Sequence, residues 1–189
     1  MATHFIARLL RNVHAGEKRL AWNYPAVASA PSSIRLTSSV FAPGAAIPQR
    51  YAGEGVGQNI SPDLSWSQLP EGTVELVLVM EDPDVPLPRP FVHLIATAIK
   101  PTLASLPEGA LSAQAPFGGI LFGYGTTRHR GYAGPRALPG HGPHRYVFEL
   151  FALNRQLQFA TPPALSDLLR AMHGAVIARG RLDGIFEQK

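Results

Sequence analysis

Arg128–Phe148 reads RHRGYAGPRALPGHGPHRYVF, and the chain is best read outward from it. The stretch holds four arginines (Arg128, Arg130, Arg136, Arg145) and three histidines (His129, His141, His144), and no Asp or Glu occurs between Glu108 and Glu149. Its first two thirds are rich in Gly and Pro and read as loop; RYVFELFAL at its end reads as a strand. A long loop of one charge sign anchored on a strand is either a solvated basic surface or an anion site. The two-residue period of a strand puts His144, Tyr146 and Phe148 on one face and turns Arg145 to the other.

Upstream, Val74–Met80 (VELVLVM) is a nearly continuous apolar run and reads as a buried strand. Phe91–Ile99 (FVHLIATAI) reads as another, with Phe91, His93 and Ile95 on one face. SIRLTSS, with Ile34 and Leu36 alternating against polar residues, gives a first strand. Between the two buried strands lies EDPDVPLPRP. Pro83 and Pro86 hold Asp82 and Val85 out of the helical region, which makes a stiff loop able to aim a carboxylate at little entropic cost. The same aspartates suit Asx capping of a turn. Eighteen prolines, at roughly 5–6% cis per X–Pro bond, give about one cis bond, with Val85–Pro86 the candidate. Gly53–Gly57 (GEGVG) is followed by no helix and reads as a turn rather than a phosphate loop.

At the C-terminal end, Leu165, Leu168, Leu169, Met172, Val176 and Ile177 recur at helical spacing, between Pro162-Pro163 and Gly180 as start and stop. At the other end, Phe5, Ile6, Leu9, Leu10 and Val13 line one face beside Arg8 and Arg11. This reads as a short basic amphipathic helix that packs on the domain, on a second subunit or on a membrane surface. Residues 1–25 form this extension, Ala26–Ser33 a small-residue linker, and residues 33–187 one domain. The 189 residues suit a single core, and the absence of Cys excludes disulfides and thiol catalysis. A net charge of +4 and a pI of 9.8 favour acidic partners. No secretory signal and no membrane-spanning run is read, so the cytoplasm is the expected compartment. Strands without βαβ alternation predict a mainly β fold, an antiparallel β-sandwich with a C-terminal helix and a short N-terminal helix.

Five motifs occur in order: Asn59-Ile60-Ser61-Pro62-Asp63-Leu64-Ser65-Trp66, Asp82-Pro83-Asp84-Val85-Pro86, Phe91-Val92-His93, Gly134-Pro135 and Gly142-Pro143-His144-Arg145-Tyr146-Val147-Phe148. Together they resemble the phosphatidylethanolamine-binding protein family, also called Raf kinase inhibitor-like proteins, in its bacterial branch, over Ile34 to Phe186. The resemblance implies an anion pocket lined by Asp82, His93, His144 and Tyr146, with Phe91 as an aromatic wall. It puts Gly134, Pro135 and Arg136 on the rim and Pro86 where a cis proline is frequent. Three positions depart from the family pattern: Phe91 for Trp, Ala137-Leu138 for a Pro-Pro pair, and Ala175 for a histidine of the C-terminal helix.

On this reading the protein is a non-enzymatic binder of phosphate-type groups: a phospholipid head group, a phosphomonoester or a phosphorylated residue of a partner. It would use no cofactor, no metal and no nucleic acid, with peripheral membrane contact, homodimerisation and modulation of a kinase or other protein as possible additions. The histidines and the tyrosine would donate to the anion, Asp82 would orient a histidine or hold an ammonium group, and binding would be tighter at pH 6 than at pH 8. His144→Ala would abolish binding and leave stability little changed. The alternative is a hydrolase or metalloprotein using the Asp82/His93/His144 cluster, against which stands the absence of a G-x-S-x-G elbow and of Cys. A nucleic-acid binder lacks the aromatic platform such proteins use.

Overall fold

Leu76, Leu78 and Met80 point one way from their strand, Val77 and Val79 the other, and all five are fully buried. The run is therefore apolar throughout because it is covered on both faces, and each such side chain contributes roughly 1.5–3 kcal/mol. The computed structural model describes residues 9–188. Among these the strands are β1 Leu36–Thr37, β2 Leu64–Trp66, β3 Glu75–Asp82, β4 Phe91–Ile99, β5 Ser105–Leu106, β6 Leu121–Phe122, β7 His144–Leu153 and β8 Val176–Phe186. Two short helices, α1 Pro25–Ala28 and α2 Leu165–Ala171, accompany them.

Every strand pair is antiparallel. A five-stranded sheet in the order β6-β4-β3-β7-β8 faces a three-stranded sheet, β1-β2-β5, and the main core lies between them. The outer face of the large sheet carries a second core, in which Val77, Val79 and Phe151 meet Ala21, Val27, Leu168, Leu169 and Met172. The mainly β sandwich read from the sequence is thus the observed architecture, with the C-terminal helix lying over the large sheet. No helix among the described residues is long and apolar enough to cross a membrane.

Four expectations about elements change. The helical stripe does not reach Ile177: α2 ends at Ala171, Gly174 takes φ 69°, and Val176 and Ile177 open β8. Their β-branched side chains suit a strand, and the ladder with β7 outweighs a helical spacing that only leucines and a methionine support. Gly180 is no helix stop. It lies mid-strand, where a Cβ would meet the Ile34 carbonyl at 2.5 Å. Ala26–Ser33 is not merely a linker, since Pro25–Ala28 is helical and Val27 is fully buried.

The amphipathic N-terminal helix lies mostly outside the described residues. Of its apolar face, Leu9 and Val13 are exposed, and beyond them the chain forms two 3-10 turns, Glu17–Arg19 and Ala21–Asn23. Finally, β4 carries a bulge. Its register with β3 slips between Leu94 (opposite Met80) and Val92 (opposite Glu81), leaving His93 as the extra residue. A bulge re-aims side chains. Phe91 and His93 therefore stay on the site face, whereas Ile95, opposite Val79, turns into the outer core.

Candidate functional site

Antiparallel pairing brings the end of β3, the start of β4 and the start of β7 to one end of the large sheet. Asp82, His93, His144 and Tyr146 meet there. Asp82 Oδ2 lies 2.7 Å from His144 Nδ1, and the His93 and Tyr146 rings stand edge to face at 5.1 Å. Asp82 also does the turn work its sequence context suggested: its Oδ1 accepts from the Asp84 amide at 2.8 Å. All four side chains are buried, none above 5% exposure.

A third histidine extends the cluster. His141 Nδ1 is 2.8 Å from His144 Nε2, and His141 Nε2 is 2.8 Å from the Leu10 carbonyl. A carbonyl only accepts, so His141 Nε2 carries a proton and donates it. The three contacts Asp82–His144, His144–His141 and His141–Leu10 thus run in a row from the carboxylate to the backbone carbonyl. His144 has no nitrogen left for a ligand. Here it is held between Asp82 and His141.

His93 is also changed by its surroundings. Its Nδ1–H donates to the Ala133 carbonyl at 2.8 Å, and His129 Nε2–H donates to the His93 carbonyl at 2.8 Å. Burial drives its pKa down to about 4, against the pull of Asp82. At neutral pH the ring is uncharged and Nε2 is a lone-pair acceptor, rather than the donor expected from the sequence. The Tyr146 hydroxyl is buried without a hydrogen bond of ordinary geometry, although the Arg136 amide lies near it, and burial holds the phenol well above its usual pKa.

The rim differs in detail from its expected use. The Gly134 amide donates to Asn59 Oδ1 at 2.8 Å and is not free for a ligand; a Cβ at Gly134 would meet the Tyr51 carbonyl at 2.3 Å. Glycine is needed there for the backbone approach of the 51–53 segment, with the Pro135 carbonyl accepting from Gly53 N–H. Arg136 is exposed and lines a cleft of about 540 Å³ with Gly134, Ala133, His129, Arg130 and Glu54. The cleft stops at Ala133 and His129, the residues that hold His93, and Asp82, His144 and Tyr146 do not line it. Phe91 packs on His93 at 4.7 Å between ring centroids.

The Val85–Pro86 bond is trans, against expectation, as are the other bonds of the described residues. The Val85 carbonyl accepts from the Ala15 and Leu87 amides, which hold the loop in that form. Arg145 turns away from His144 as read and makes bonds of 2.9 and 2.8 Å to the two Asp84 oxygens. Burial opposes ionisation of Asp84, but Arg145 outweighs it and holds the carboxyl below its usual pKa. Neither His93 nor His144 hydrogen-bonds a Ser or Thr hydroxyl among the described residues, and no group of three or more acidic or histidine side chains there is placed to hold a metal ion.

His141 escaped the sequence reading because a Gly-Pro loop has no periodicity and its partner, Leu10, lies 131 residues away. A carboxyl pair on the outer face was missed as well. Glu81 Oε2 accepts from Ala21 N–H at 2.7 Å and Glu149 Oε1 from Trp22 N–H at 3.1 Å. Their other oxygens find no donor in the rest of the described protein and approach each other within hydrogen-bonding range. Burial raises Glu81 to about 7, and burial with the Glu81 charge raises Glu149 well above the carboxylate range. One shared proton satisfies both.

Comparison with known proteins gives this end of the sheet a context. Residues 37–187 match the family model described as phosphatidylethanolamine-binding protein. A UPF0098 protein of Methanothermobacter thermautotrophicus is 34% identical over 155 residues, covering 82% of this chain and 99% of that one. A UPF0098 protein of Chlamydia trachomatis is 36% identical over 159 residues, with 82% and 99% covered. A crystal structure of a homolog of this family from C. trachomatis superposes with a TM-score of 0.74 at 34% identity, over 84% of this chain and 99% of that one. Escherichia coli YbcL superposes with a TM-score of 0.76 at 25% identity, over 84% and 100%. The match spans both sheets and all four clustered side chains, and the chain belongs to the phosphatidylethanolamine-binding protein family.

Proposed function

We propose that the protein binds a phosphate-type group at the β3/β4/β7 end of the large sheet and performs no chemistry on it. One observation carries the reading: the buried Tyr146 hydroxyl, without a hydrogen bond of ordinary geometry, on a ring 5.1 Å from that of a neutral His93 whose Nε2 makes no hydrogen bond among the described residues. Buried polar groups left without partners are rare, and a ligand is one thing that satisfies them. The two groups ask for different things. The hydroxyl donates to an anionic oxygen, whereas the His93 lone pair accepts from a donor on the ligand. A monoprotonated phosphate or phosphomonoester offers both, as does a phosphate ester bearing an ammonium group. The family's descriptive name, with its phosphorylated ethanolamine, agrees with that chemistry. Arg136 and Arg130 along the adjoining cleft supply a positive approach.

Calorimetric titration with methyl phosphate, a simple phosphomonoester, and with sulfate at pH 6 and pH 8 tests this. Since His93 titrates near 4, its charge does not change over this interval. The ligand's own proton, with a second pKa of about 6, is the variable. Methyl phosphate is expected to bind more tightly at pH 6, and sulfate, which has no proton to give at either pH, to bind weakly at both. No methyl phosphate binding at either pH removes the reading; equal pH dependence for both anions moves the proton from the ligand to the histidine chain.

A further inference from the structure

The last 2.8 Å of the histidine chain is made with the protein's own backbone. Leu10 belongs to a segment that runs across the site end as an added antiparallel partner of the aspartate-proline loop. Ala15 N–H donates to the Val85 carbonyl and Gly16 N–H to the Pro83 carbonyl, each at 2.9 Å. His14 Nδ1 is 3.1 Å from the Asp84 carbonyl, and its ring stands edge-on to His141 at 5.6 Å. Glu17 fastens the end of the segment with ion pairs to Arg145 at 3.0 Å and Arg181 at 2.7 Å. The segment that makes these contacts lies outside the region matched by the family model, which begins at residue 37, while its partners lie within it.

We infer that residues 9–17 are a strap that competes with the oxyanion, and that His141 is the residue that receives the anion when the strap leaves. The inference rests on the anion-binding reading above. Three features support it. The donor at the end of the Asp82–His144–His141 chain is the His141 Nε2–H, because both nitrogens of His144 are spent inside the chain. The group now on that donor is a carbonyl oxygen, which an oxyanion oxygen replaces with a stronger, charge-assisted hydrogen bond. Asp82 at the far end keeps the histidines oriented. The strap's own fastenings are exposed at Glu17 and His14, so it is built from contacts that open more readily than the core.

A closed strap lowers the apparent affinity by the fraction of molecules in which it is open. Unlatching it without touching the site therefore tightens binding. Gly16→Pro does this: it deletes the amide that bonds Pro83, and proline cannot take the φ of 91° found there. Titration with inorganic phosphate at pH 6 is expected to show about tenfold tighter binding by the G16P full-length chain than by the unaltered one. His141→Phe in the G16P chain is expected to remove the gain. A measurement that needs no variant runs in parallel. Saturating phosphate should speed hydrogen exchange at the Ala15 and Gly16 amides of the unaltered protein while the amides of β7 stay protected. Unchanged or weaker binding by G16P, or unchanged exchange at Ala15 and Gly16, overturns the strap and leaves the anion site standing. Absence of phosphate binding in both chains overturns both.

Discussion

His144 lies at the middle of a hydrogen-bonded row and is 1% exposed, so replacing it does more than remove a ligand contact. His144→Ala leaves the Asp82 carboxylate buried without its partner and the inner nitrogen of His141 without one. Breaking a buried pair in this way costs about 3–5 kcal/mol. Urea denaturation should show a loss of that size, not the small change in stability that the sequence suggested. The same residue shows what was legible at this scale. The two-residue period put His144 with Tyr146 and turned Arg145 away, and both hold. Sequence spacing gave no access to protonation: that His93 accepts instead of donating follows from Ala133, forty residues on, and from the loss of solvent around the ring.

Strands β3 and β7 place Glu81 and Glu149 on the outer face of the sheet under the turn Ala21–Asn23, and the pair makes stability there depend on pH. The sign follows from the direction of the shift. Glu81 titrates near 7 in the fold against an ordinary value of 4.5, so the folded state holds the proton more tightly. Its contribution is complete below about pH 4.5 and is lost as pH rises toward 7, an effect on the order of 3 kcal/mol. The melting temperature should fall between pH 5 and pH 8. Glu81→Gln, which keeps an acceptor for the Ala21 amide and offers a permanent donor to Glu149, should flatten that fall and raise the melting temperature at pH 8. A profile identical to that of the unaltered protein would exclude the pair as its cause. The elements themselves were legible where one signal stood alone: VELVLVM and FVHLIATAI are strands because β-branched and apolar residues fill them. The α2–β8 boundary was not. The alternation of Arg179, Arg181 and Asp183 with Ala178, Gly180 and Leu182 carries a strand period, but the leucine spacing just before it competes for the same residues.

Across the whole molecule, the residues before β1 behave as a third layer. Leu20, Ala21 and Val27 are buried, and the last two close the outer core over Val77, Val79 and Phe151. Arg179 adds a cation stacked 4.1 Å from the Trp22 ring and donates to the Trp22 carbonyl at 2.6 Å. A chain lacking residues 1–30 should therefore bind a fluorescent apolar dye and melt at lower temperature, even though residues 37–187 alone match the family model. Unchanged melting and no dye binding would mean that α2 covers the face unaided. The same contacts order events in time. Trp22 is held by Glu149, 127 residues later, and by Arg179, 157 residues later. On a ribosome the segment before β1 has nothing to dock on until β7 and β8 have been synthesised. This layer is thus made before its partners and is last in place, and during that interval the nascent chain displays an uncovered apolar sheet face to whatever chaperones attend it.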